Sequence, residues 1–364
     1  MSKLQNKNNL EIMENPLFHA YRNEMYNQFC KLLNDGKNIN CINKEGETLI
    51  SEIIKNEGNI TNNKKYFNKL LSCGVSLERH GVGYDVVNLS IIKQDDIYYM
   101  KKLLENGACV NSFGMHINYD RRHPYYGPPI FESFWREDLR KINLLLKHNP
   151  QLNLSNCTAT PILNYLFKYG TSSMGIHNTK KIIPILIEKG ATVDERDYSG
   201  KEPIHYWAES QIYKNSFMDK ILNLLLRKNI NINSRNERGN TPVMLSAKIG
   251  RVSSVLSLIS HGANLDIQNA KGKTAAMMID PKNSYKILEI LENNNANFSL
   301  CDKLKNNVTH YIAKKITGKK SIKNHKKYIE FIKRHEKLAM QKNLDGETAM
   351  DIIKRDKNKN HKND

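Results

Sequence analysis

Several things are scarce in this sequence of 364 residues. Cysteine is the first. Cys30, Cys41, Cys73, Cys109, Cys157 and Cys301 form no CxxC pair and no zinc-ligand spacing. A disulfide framework and a small zinc module are excluded. A reducing, cytoplasmic compartment is expected, with the thiols packed as small apolar side chains. Long apolar runs are also missing. No stretch of about 18 apolar residues exists, which excludes a membrane-spanning helix. The opening residues MSKLQNKNNLE hold no apolar core, so no secretory signal is expected. Catalytic signatures are absent as well: no GxSxG, P-loop, HExxH, kinase set or Gly-rich dinucleotide turn. No enzyme activity, catalytic residue, cofactor or metal is therefore expected.

Acidic side chains are the other shortage. Lys and Arg number 56 against 37 Asp and Glu, a net charge of +19. From Asp302 to the end there are 18 basic and 8 acidic residues, so over half of the excess lies in the last 63 positions. A positive field of this kind attracts nucleic acid, acidic protein surfaces or anionic lipid. No C2H2 spacing, RNP1-like string or KH-type GXXG accompanies it. Lys, Asn and Ile are abundant throughout, and the simplest reading of the excess is compositional.

The sequence does repeat itself. Its clearest unit is NERGNTPVMLSAKIGRVSSVLSLISHGANLDIQN, residues 236–269. Gly239 allows a turn with unusual backbone angles. Thr241 is placed to cap a helix, and Pro242 suits that helix's first turn. Val243, Leu245 and Ala247 begin a short first helix. Val252, Val255, Leu256, Leu258 and Ile259 form the apolar stripe of a second. Gly262 fits the left-handed position past its end. Aligned on the turn glycine, frames open near 13, 46, 84, 126, 158, 200, 239, 272, 305 and 346. Tyr126 and Lys305 stand where the glycine falls elsewhere.

These residues resemble the ankyrin repeat, with its Gly-x-Thr-Pro-Leu-His opening, two antiparallel helices and Gly-Ala-Asp-Val-Asn close. The resemblance implies an all-α ankyrin-repeat solenoid of about nine helix-turn-helix units with β-turn tips. Residues 1–12 form a polar lead, 13–353 the array and 354–364 a disordered basic tail. Gly346 opens a half-repeat that caps the array. The Lys-, Asn- and Ile-rich composition is similar to that of ankyrin proteins of intracellular bacteria, some of which are delivered into host cells.

The resemblance also implies how such a chain acts. Turn tips and first helices of ankyrin arrays form a concave groove that grips a protein partner. The chain is expected to be a monomeric protein-binding scaffold with an unidentified partner. Tip candidates are Tyr198, Lys201, Arg235, Arg238 and Lys271. Trp207 stands where the family carries a small residue, and is either a groove anchor or a core filler. Arg121, Arg122 and Tyr125 belong to a basic, aromatic tip insertion with the composition of a binding loop. His205 and His310 match the family's structural histidine. The alternative is a polyanion binder, chiefly of nucleic acid, acting through Lys314–Lys337.

Overall fold

The architecture is taken from a computed structural model. It describes residues 15–360 apart from 57, 79–84, 94–95, 113–126, 137, 156–159, 170–175, 211–214, 281–284 and 318–324. The chain forms two compact units, residues 1–158 and 159–364. Among the described residues the regular structure is entirely helical.

The first unit holds four helix pairs: α1 Pro16–Arg22 with α2 Tyr26–Asn34, α3 Leu49–Lys55 with α4 Ile60–Ser72, α5 Val86–Lys93 with α6 Tyr98–Glu105, and α7 Pro129–Trp135 with α8 Leu139–Lys147. The second holds five: α9 Ile162–Tyr169 with α10 Ile176–Glu188, α11 Pro203–Glu209 with α12 Asn215–Arg227, α13 Pro242–Ile249 with α14 Val252–Ser260, α15 Ala275–Met278 with α16 Tyr285–Asn293, and α17 Val308–Ile316 with α18 His325–Arg334. A single turn, α19 Glu336–Ala339, and a last helix, α20 Ala349–Asn360, complete it. The last helix thus continues into the stretch expected to be a disordered tail.

First helices pack on first helices and second helices on second helices, giving two layers within the second unit. The reason is visible in side-chain size and polarity. The first helices are apolar almost all round: α13 buries Pro242, Val243, Met244, Leu245, Ser246 and Ala247. A helix buried on all sides must have neighbours on all sides. The second helices are amphipathic. In α14, Val255 and Leu258 are buried, whereas Leu256 points to solvent, outside the stripe expected for it. No unit of this size buries its apolar face alone, so each pair depends on the next.

Trp207 lies wholly within this core and is completely buried. Its indole Nε1–H donates to the Met218 carbonyl at 2.9 Å, tying α11 to α12. The tryptophan is therefore a core filler, and its place among the partner-binding candidates is corrected. The expectation of buried thiols is corrected too. Cys41 is buried, but Cys73 and Cys109 are exposed. Cys73 caps the exposed end of α4, where packing does not reach it.

The turns between elements use left-handed backbone. Lys305, in the glycine position of its frame, has φ +56°, and Asn149, Asn229 and Asn295 fill the left-handed place after helices that Gly262 fills after α14. Gly239 has a second reason to lack a side chain. A Cβ there would sit 2.7 Å from the Ala270 backbone nitrogen, whereas one on Gly262 would meet nothing within 4 Å. Both substitutions to Ala carry the left-handed strain of about 1–2 kcal/mol. Gly239→Ala is expected to cost at least about 1 kcal/mol more than Gly262→Ala, because one repeat must also move off the next. Urea unfolding of the two variants measures the difference, and equal midpoints would refute the close approach as a constraint.

Candidate binding ridge

Six repeat tips fall within the described residues, and all six have the same construction. An Asn or Asp stands three residues before the turn position: Asn43, Asp197, Asn236, Asn269, Asp302 and Asn343. In each, side-chain Oδ1 accepts the backbone N–H groups two and four residues on, at 2.7–3.0 Å. Its own N–H donates to the carbonyl four residues on, and its carbonyl accepts from the turn residue. A short irregular loop exposes backbone donors that need partners. One side-chain oxygen supplies two of them at every tip.

A second set of bonds joins neighbouring tips. The Glu237 N–H donates to the Ser199 carbonyl at 3.2 Å and the Ala270 N–H to Arg238 at 3.0 Å. The Lys303 N–H donates to Lys271 at 3.2 Å and the Leu344 N–H to Leu304 at 3.0 Å. Five tips of the second unit therefore form one hydrogen-bonded ridge.

The atom facing the rest of the tip side chain matches the choice between Asn and Asp. The Tyr206 hydroxyl donates to Asp197, and the Tyr311 hydroxyl donates to Asp302 at 2.5 Å. Where the facing atom is an acceptor, the tip residue is an amide. Asn43 Nδ2 donates to Glu52 at 3.2 Å. Asn269 Nδ2 donates to Asn240 Oδ1 at 2.8 Å, and Asn343 Nδ2 to Asn306 Oδ1 at 3.0 Å. Burial opposes the charge on Asp197 and Asp302, but the tyrosine and backbone donors outweigh it and hold both carboxyls below the usual range. Burial and the carboxylate bond push both tyrosines upward.

The two histidines named from the resemblance are structural. The Glu202 N–H donates to His205 Nδ1 at 3.1 Å, and His205 Nε2 lies 3.1 Å from the Ser234 carbonyl of the next repeat. The Asn307 N–H meets His310 Nδ1 at 3.3 Å, with Nε2 3.2 Å from the Glu347 carbonyl. Burial pushes His205 down to about 4 and lowers His310 as well. Thr241 occupies the cap position before α13 but makes no capping bond, and its hydroxyl is buried without a hydrogen-bond partner. The capping role expected for it is corrected: its hydroxyl takes neither of the first-turn N–H groups that a cap would accept.

The remaining sequence candidates divide. Tyr198 is 66% exposed, with the Lys168 ammonium 5.6 Å from its ring centre. Lys201 is half-buried, paired with Glu209 at 2.6 Å and set over the Tyr206 ring, so it is engaged within its repeat. Arg235 is exposed but donates to the Gln268 carbonyl at 2.8 Å, bracing one tip against the next. Arg238 and Lys271 are exposed on the ridge, their backbones held and their side chains directed to solvent. Arg121, Arg122 and Tyr125 lie outside the described residues. Sequence reasoning missed Lys303, Leu304, Lys305 and Leu344, which the ridge brings into line with them. Their signal was available as the residues just after Asp302 and Asn343.

The basic stretch from Lys314 to Lys337 does not form one surface among the described residues. Lys314 bonds Asn306 at 3.2 Å and Lys315 bonds the Ile279 carbonyl at 2.5 Å, both in the first-helix layer. Lys326, Lys327 and Lys333 are exposed on α18, whose other face buries Tyr328, Phe331 and Ile332. Among the described residues no group of His, Cys, Asp or Glu is placed to hold a metal ion. No helix there is long and apolar enough to cross a membrane.

Two stacked helical layers joined by glycine-pivoted tips define an α-helical repeat protein. Residues 210–302 match the family model described as ankyrin repeats in three copies, and the stacked helix pairs of the described residues are consistent with an all-α ankyrin-repeat array. It is 25% identical over 176 residues to the protein glp-1 of Caenorhabditis elegans, covering 44% of this chain and 12% of that one. It is 28% identical over 173 residues to a putative ankyrin repeat protein of Acanthamoeba polyphaga mimivirus, covering 45% of this chain and 24% of that one. The chain thus spans under a quarter of the length of these curated relatives. One is from a nematode and the other from a virus of amoebae. Ankyrin repeats are generally protein–protein interaction modules, and the family is typically non-enzymatic.

The tip amides and the buried histidines are each expected to contribute to stability. Asn269→Asp keeps the Oδ1 acceptor but turns the donated bond to Asn240 into two facing oxygens. It is expected to cost about 2 kcal/mol, measured as a urea midpoint shift. The histidines act through pH. His205 binds its proton less tightly folded than unfolded, so as pH falls below about 6.5 the unfolded chain takes up the proton first. Stability is complete above that value and is lost toward about pH 4, by roughly 3 kcal/mol from this group. His310 acts in the same direction. Denaturant melts at pH 7 and pH 4.5 are expected to show the loss, and His205→Gln to reduce it. No difference between the variant and parent slopes would remove His205 as its source.

Proposed function

We propose that this chain is a non-enzymatic scaffold that binds a protein partner through the ridge of tips in its second unit and the adjoining first-helix face. One observation carries the reading. The ridge backbone is committed to internal hydrogen bonds, while Tyr198, Arg238, Lys271 and Leu304 project from it into solvent. A rigid backbone presenting exposed aromatic, basic and aliphatic side chains loses little entropy on binding. Tyr and Arg are also the residue types that dominate interface energetics. Lys201 and Arg235 act from behind the ridge, holding Glu209 and Gln268 in place. The buried histidines are consumed by backbone bonds and offer no acid–base chemistry.

A photoreactive benzoylphenylalanine introduced in place of Tyr198 in the full chain tests this. The control carries the same group in place of Lys286, exposed on α16 in the second-helix layer. The expected outcome is a discrete protein crosslinked from position 198, retained at about 0.15 M and at about 0.5 M salt, and not crosslinked from position 286. Crosslinking from 286 alone would place the contact on the other layer. Nucleic acid recovered at low salt only would replace the scaffold reading with the polyanion one.

A further inference from the structure

The ridge carries a pattern that specifies more than a generic protein contact, and its meaning rests on the scaffold role proposed for the chain. In hydrogen-bonded order the exposed side chains include Tyr198, then Arg238, then Lys271, then Lys303 with Leu304 and Lys305, then Leu344 with Asp345. Glu237 is the single acid among the exposed tip residues between Tyr198 and Lys305. Arg238, Lys271, Lys303 and Lys305 stand in sequence along one bonded backbone. None of these four side chains makes an ion pair or hydrogen bond among the described residues, whereas Lys201, Lys314 and Lys315 nearby are engaged.

The far end of the row is apolar. Leu304 is 56% exposed and Leu344 is 58% exposed, and the backbone bond between them makes the two leucines neighbours. Large aliphatic side chains exposed together on a rigid edge mark a contact surface. Adjacent unpaired cations favour a negative partner and speed its encounter.

We infer that the ridge from Arg238 to Leu344 is a docking edge for an acidic protein segment that carries an apolar side chain. Its carboxylates lie over Arg238, Lys271, Lys303 and Lys305, and its apolar residue covers Leu304 and Leu344. Charge complementarity selects the acidic class. The leucine pair selects a protein over a nucleic acid, whose polar backbone and bases gain little from covering aliphatic surface and instead use aromatic platforms.

A random dodecapeptide phage library panned on the full chain at about 0.15 M salt tests the inference. Selected peptides are expected to be enriched in Asp and Glu beside Leu, Ile, Phe or Met. A synthetic copy, followed by fluorescence anisotropy, is expected to bind about tenfold or more weakly to the triple variant Arg238→Glu, Lys271→Glu, Lys303→Glu. Leu304→Ser with Leu344→Ser is expected to weaken it by about tenfold. Lys286→Glu with Lys326→Glu, on the second helices, is expected to leave binding unchanged. Each variant is checked for an unaltered urea midpoint, since all the substituted side chains are exposed. Selected peptides without acidic residues, or binding indifferent to the triple reversal, would overturn the acidic edge and leave the scaffold standing. A single-stranded oligonucleotide that displaces the peptide and is itself lost on the triple reversal would reassign the edge to nucleic acid. A library yielding no specific binder at all would count against the scaffold and the edge together.

Discussion

A single side-chain oxygen holds each of the six described tips in order. An ankyrin tip is a short loop with several backbone N–H groups and no strand beside it to receive them. The Asn or Asp three residues before the turn residue accepts two of those groups, and its own backbone closes the loop around it. With the loop fixed, the next tip can approach closely enough for one backbone bond. That approach leaves room for no Cβ at Gly200, Gly239 or Gly272. Left-handed conformation alone would tolerate Asn, as the positions after several helices do. Contact between repeats is the stricter demand at these three tips, whereas Lys305 keeps its side chain beside the equivalent bond from Leu344 to Leu304.

The same device recurs on the closing loops. The Asn264 N–H donates to Asn233 Oδ1 at 2.9 Å, and the Asn297 N–H to Asp266 Oδ1 at 2.7 Å. Within each loop the pattern repeats at a spacing of two: Asn233 onto Asn231, Asp266 onto Asn264, Ser299 onto Asn297. Side-chain acceptors therefore run as a ladder from repeat to repeat on a second edge. The abundance of asparagine, which composition alone presents as a bias, has structural employment at both edges. Hydrogen bonds at turns compete well here because Asn and Asp reach their own neighbouring backbone at little entropic cost.

Much of this was legible. The turn glycines, the Pro at the start of first helices and the apolar stripes place the helices α11, α13, α15, α17 and α20 three residues after a frame position. Lys305 was readable as a tip residue in spite of lacking the glycine, because its frame was kept by its neighbours. What was not legible depended on contacts across repeats. Trp207 could not be assigned to core or groove until Met218 was seen to accept its N–H. Lys201 and Arg235 looked free because their partners, Glu209 and Gln268, are fixed by packing and not by adjacency. The helix cap expected at Thr241 is missing, its hydroxyl buried without a hydrogen-bond partner. The Asn or Asp three residues before each turn was in plain view, but it gained meaning only once six copies showed the same bonds.

The choice between Asn and Asp at the tip keeps stability and recognition apart. A carboxylate appears where a tyrosine hydroxyl nine residues on can donate to it, and an amide appears where the facing atom is an acceptor. The tip side chains thus pair donor with acceptor inside the array, within a repeat at Asp197 and Asp302 and across to the preceding repeat at Asn269 and Asn343. This leaves most side chains one and two places after the tip residue without internal duties, Ser199 excepted, whose hydroxyl donates to Asp197 at 2.8 Å. They include Tyr198, Glu237, Arg238, Lys271, Lys303, Leu304, Leu344 and Asp345. They can vary in charge and shape without disturbing the bonds that hold the ridge, because those bonds use only their backbone atoms. A fold built this way separates the chemistry of stability from that of recognition at neighbouring positions in the chain. The surface of the ridge is then free to be specific for a partner because the interior of the tip is already complete.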